Sequence, residues 1–129
     1  MSEPPDLRRI RLTWEGGEVT AVLDDSATTD ALVEALPFSG TAQTWGEEVY
    51  FAVPFTVLAE VDAKDVVEPG TVAYWVDGSS LALPYGPTPI SESGECRLVT
   101  PCNVVGRLEG DPRVLATVRP GDRVDVVAL

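Results

Sequence analysis

The chain has no histidine, one methionine, two cysteines and a single lysine, Lys64, among 129 residues. Without histidine there is no Ser-His-Asp triad and no ordinary Cys-His nucleophile pair. Cys96 and Cys102 are separated by five intervening residues, which is neither a redox CxxC nor a zinc spacing. Two reduced thiols in or near the core are expected, with a labile disulfide as the alternative. No glycine-rich phosphate loop or dinucleotide fingerprint is present. The carboxylates Glu47, Glu48, Glu92 and Glu95 follow no metal-ligand spacing, so no metal and no cofactor is expected. No run approaches the 18 apolar residues of a membrane span, and Met1–Arg9 lacks the apolar stretch of a signal peptide. A cytoplasmic location is the resulting expectation.

Positive charge is scarce too. Nine basic residues face 21 acidic ones, for a net charge of −12. Such a surface repels phosphate backbones and anionic headgroups, which argues against nucleic acid and membranes as partners. Salt screens self-repulsion at that charge, so a halophile-like gain of stability with added KCl is expected.

What is present suits a small β protein. The 44% hydrophobic content is enough for one core in a chain of this length. Residues 1–7 are predicted to form a flexible N-terminal tail and residues 8–129 a single domain. Ile10, Leu12 and Trp14 alternate with polar residues, Glu15-Gly16-Gly17-Glu18 turns the chain, and Val19–Leu23 returns as a hairpin arm. One clear helix follows, capped by Ser26 or Thr28, with Leu32, Val33 and Leu36 as its apolar stripe and Pro37 ending it. Further strands are predicted at Gly40–Thr44, Glu47–Val53, Val72–Val76, Leu81–Tyr85, Asn103–Leu108 and Val124–Leu129. Glu68-Pro69-Gly70-Thr71 and Arg119-Pro120-Gly121-Asp122 place proline and glycine for type II turns. Gly86–Pro101 reads as an extended loop and Asp111–Thr117 as a short second helical turn. About eight strands in this order favour closure into a β-barrel, with a sandwich as the alternative.

The octad Thr44-Trp45-Gly46-Glu47-Glu48-Val49-Tyr50-Phe51 resembles a signature of the small prokaryotic cyclophilin-like family, compact barrel proteins of uncharacterised function. The resemblance extends through Val66–Trp75, Leu81–Pro89 and Asn103–Leu108, and so over nearly the whole chain from Arg8. It implies a closed cyclophilin-like barrel. Cyclophilins proper isomerise prolyl bonds with an arginine that follows a Phe-His pair. Here Thr44–Phe51 contains no arginine and the chain no histidine, so the resemblance implies the fold without that activity.

A dyad of Glu47 and Glu48 is disfavoured, because strand neighbours point to opposite faces; Glu48 shares a face with Tyr50. Aromatics on strands mostly fill cores, but Trp45 and Tyr85 stand at strand ends, where a barrel mouth forms a pocket. Thr88 in the proline-framed loop and Asn103 at a strand start can offer polar groups to the same mouth, although local backbone bonding is the commoner use. The leading expectation is a non-catalytic module that binds a small molecule or short peptide through Trp45, Glu48, Tyr50, Tyr85, Thr88 and Asn103. The acidic character favours a cationic or neutral ligand. One alternative is a prolyl isomerase with a rewired groove, using Arg97 or Arg107 as donor. Another is a structural domain that forms homo-oligomers.

Overall fold

The computed structural model describes residues 8–129, so the predicted tail over 1–7 lies outside the described residues. Strands β1 (Arg8–Trp14) and β2 (Gly17–Leu23) form the predicted hairpin, with Ile10, Leu12 and Trp14 turned inward at period two. Helix α1 (Ala27–Ala35) starts at Ser26, whose side chain accepts from the Thr29 amide. It ends at Leu36, held in extended geometry ahead of Pro37.

The rest of the chain is strand and turn: β3 (Phe38–Thr41), β4 (Gln43–Thr44), β5 (Glu48–Ala52), β6 (Lys64–Val66), β7 (Thr71–Trp75), β8 (Ser80–Pro84), β9 (Arg97–Leu108) and β10 (Arg123–Ala128). A 3₁₀ turn over Pro112–Thr117 stands where the second helical turn is predicted. Both Pro-Gly turns form as expected. Gly70 and Gly121 take φ of +92° and +93°, values glycine adopts without a Cβ clash.

All strand pairs are antiparallel, in the order β3-β10-β1-β2-β9-β7-β8-β5-β4, with β6 on β9 off this path. This corrects the expected closed barrel of about eight strands: the described residues form ten, and the ladder stays open. The two ends of the path, β3 and β4, do not pair, although only Ala42 separates them in sequence. Buried Ala42 bonds instead to the turn before β10, donating to Asp122 O (2.7 Å) and accepting from Gly121 N (2.8 Å). The predicted Gly40–Thr44 strand is thereby split between the two edges.

The second correction concerns Gly86–Pro101, whose last residues are strand. β9 runs for 12 residues: Arg97–Cys102 pairs with β6, and the remainder with β7 and β2. Alternate residues of β7, β8 and β5 therefore meet two apolar layers. Val72, Tyr74, Leu81, Leu83, Val49 and Phe51 enter the main core. On the opposite face, Ala73 and Ala82 pack with Leu98 and Cys102 of β9, flanked by Tyr50 and Trp75. Burial on both faces is why Ser80–Pro84 is buried at every position. No helix among the described residues is long and apolar enough to cross a membrane.

Candidate functional site

The second apolar layer carries a cavity of about 200 Å³, lined chiefly by Trp45, Glu48, Tyr50, Trp75, Leu98 and Cys102. Two-residue periodicity puts Glu48 and Tyr50 on one face of β5, where Tyr50 stands opposite Ala82 of β8. Tyr50 and Trp75 meet edge to face, with ring centroids 6.2 Å apart. Leu98 and Cys102 close the space from β9.

Trp45 is positioned by the turn into β5. Its amide donates to Glu48 O (3.0 Å), and the Glu47 amide donates to Pro87 O (2.9 Å). Gly46 makes this turn, with φ of +60° and the Pro89 ring so near that a Cβ would lie 2.8 Å from it. A side chain there would strain the backbone and push the Pro87–Pro89 segment away.

Glu48 dominates the electrostatics. It is 6% exposed, and its Oε1 has no hydrogen-bond partner among the described residues. No residue lining the cavity is basic. Burial alone pushes the carboxyl up from 4.5 to about 7. The indole Nε1 of Trp75 is a second buried polar atom without a partner among the described residues. Burial, reinforced by Glu48, raises the Cys96 and Cys102 thiols to about 11 and about 12. Both cysteines are free and buried, and the thiol of Cys102 donates to Thr100 O (3.3 Å). Thiols held protonated this firmly are poor nucleophiles.

Of the six residues expected at one mouth, Trp45, Glu48 and Tyr50 come together and three do not. Tyr85 stands apart beneath the Arg113 guanidinium, which lies 5.8 Å from its ring centroid and pairs with Glu47 at 3.3 Å. Glu47 thus serves a separate surface cluster, and no Glu47–Glu48 dyad forms. Thr88 is a loop clasp, its hydroxyl donating to Arg97 O and its amide to Ser91 Oγ (2.9 Å). Asn103 is 1% exposed and ties α1 to the segment before β6. Its Nδ2 donates to Thr28 Oγ1 (3.0 Å) and Leu58 O (2.9 Å), and its Oδ1 accepts from Glu60 N (2.8 Å). These side chains spend their hydrogen bonds on structure.

Sequence reasoning missed Trp75, Leu98 and Cys102 as lining residues. Trp75 was legible in principle, since period two sets it on the face opposite Tyr74. Leu98 was not, because its segment reads as loop. The arginines are also separated from the cavity. Arg97 is held by Glu95 (2.8 Å) and Asp65 (3.1 Å). Exposed Arg107 borders a different groove of about 380 Å³, with Val22, Leu23, Pro69 and Val104.

The sequence profile of the cyclophilin-like family matches residues 8–127. The chain belongs to the cyclophilin-like family. Its fold is similar to the solution structure of a hypothetical protein from Archaeoglobus fulgidus, at 37% identity, TM-score 0.82 and 98% coverage of each chain. McbB, solved in complex with tryptophan, is similar at TM-score 0.64 and 19% identity over 92% of this chain and 44% of that one. At that identity McbB speaks for the cyclophilin-like fold alone. No curated protein matches the chain.

Proposed function

We propose that this cyclophilin-like protein is a binding module for a small molecule held in the Trp45–Glu48–Tyr50–Trp75 cavity. The observation that carries the reading is Glu48, a buried carboxyl that lines an aromatic cavity of about 200 Å³ and whose Oε1 has no partner among the described residues. An unpaired buried carboxyl oxygen costs about 1–3 kcal/mol or more, which a bound donor offsets. The cavity is smaller than a drug-sized site of roughly 300–1,000 Å³, so the ligand is a fragment or one end of a longer molecule.

The test is a ¹⁵N-labelled protein titrated with small amines, alcohols and amides, followed at the Trp45 and Trp75 indole N–H signals. Tryptophan joins the probes because the McbB structure contains it. Saturable shifts confined to this cavity are expected; unmoved indole signals across the set defeat the reading.

The prolyl isomerase alternative has one support, exposed Arg107 beside the apolar groove of Val22, Leu23 and Pro69. Catalysed cis/trans exchange of an Ala-Pro peptide, lost in Arg107→Ala, would establish it. The oligomer alternative draws on exposed Leu58 and Val61; a strict monomer by light scattering at high concentration removes it.

A further inference from the structure

We infer that the ligand of this cavity is a small ammonium ion carrying at least one N–H, held by Glu48 and the aromatic faces around it. The inference rests on the binding reading above and adds the charge and donor character of the occupant.

Three features converge on a cation. The buried acid has no counter-ion among the described residues, since none of those lining the cavity is basic and Oε1 accepts nothing from any of them. A buried charge persists only when paired, and here no described protein group supplies the pair. The surrounding walls are Trp45, Tyr50 and Trp75, whose ring faces attract a cation, most strongly where water is excluded. The one thiol that lines the cavity, Cys102, stays protonated and adds no competing anion.

An N–H is required as well as a charge. The Glu48 carboxylate lines the cavity with its Oε1 lacking a donor among the described residues, and a quaternary ammonium has none to give. A primary or secondary ammonium meets both demands, with a charge-assisted hydrogen bond to the carboxylate and its apolar substituent against Leu98. An anionic ligand would meet Glu48 as a like charge.

Calorimetry with benzylamine, benzyl alcohol and benzyltrimethylammonium at pH 8 tests this. Added 0.5 M NaCl screens the diffuse attraction of a net charge of −12. The expected result is at least tenfold tighter binding of benzylamine than of either analogue. In Glu48→Gln that preference should fall to within twofold. Trp75→Leu, which keeps the acid, should weaken benzylamine while leaving it ahead of the alcohol. Equal binding of the alcohol, with the Trp45 and Trp75 signals moving, overturns the cation inference and leaves the cavity reading intact. A preference that survives in Glu48→Gln also overturns it. No binding by any of the three, with unmoved indole signals, rejects both.

Discussion

Replacing Glu48 by glutamine should stabilise this protein at alkaline pH and do so less and less toward pH 4. Burial raises the folded-state carboxyl from 4.5 to about 7. Below 4.5 the group is protonated in both states and contributes no pH dependence. Between 4.5 and 7 the unfolded chain releases the proton that the folded protein keeps, so the wild type loses stability as pH rises. Above 7 the full cost is present. At about 1.4 kcal/mol per pH unit it amounts to about 3 kcal/mol. Glutamine preserves shape without acquiring charge. The stability difference between variant and wild type should therefore grow by about 3 kcal/mol from pH 4.5 to pH 8. For a chain of this size that is roughly 10 °C in Tm. Urea denaturation at half-unit pH steps measures the difference, in which the many surface acids common to both proteins cancel. Curves that run parallel from pH 5 to pH 8 would refute the claim that Glu48 is buried without a counter-charge.

The other predictions concern the frame around the cavity. Asn103→Ala should cost about 2–4 kcal/mol in urea unfolding, because it orphans Leu58 O and Glu60 N and takes the donor from Thr28 Oγ1, which keeps only its own bond to the Glu60 carboxylate. Two glycine-to-alanine changes should differ sharply. At Gly106 a Cβ would stand 2.2 Å from Val22 O, a backbone atom of the paired strand, so little or no folded protein is expected by circular dichroism. At Gly86 the clash is with Glu47 Oε1, the end of a half-exposed side chain that can swing away, so a loss of about 1 kcal/mol is expected. Cys96 and Cys102 should resist a thiol reagent such as Ellman's at pH 8 in the folded protein and react fully once it unfolds in urea. Prompt labelling of the native protein would contradict their burial.

Local chemistry was legible without the structure wherever one residue type permits few conformations. Gly70 and Gly121 could be assigned to their turns because a positive φ after proline nearly demands glycine. The β1–β2 hairpin and α1 followed from period-two alternation and from a serine placed to cap a helix. The octad from Thr44 marked the family and put Glu48 on the same face as Tyr50, because side chains on a strand alternate whatever the strand pairs with.

Tertiary structure decided the rest. Whether the ladder closes depends on where β3 and β4 find partners, and the hydrogen bonds of Ala42 to Gly121 and Asp122 settle that from 80 residues away. Pattern reading could not tell that Arg97–Pro101 is strand, since its proline and polar residues look like loop until β6 pairs with it. That pairing lays Leu98 and Cys102 over Tyr50, Ala82 and Trp75 and so creates the cavity. For Asn103 and Thr88 the sequence determined only that each carries hydrogen-bonding groups. Their neighbours in space, α1 and the start of β9, determined that those groups are consumed within the frame. The same holds for Glu48: its identity and facing come from the chain, but the lack of a base among the described residues lining its cavity is a property of the folded layers around it.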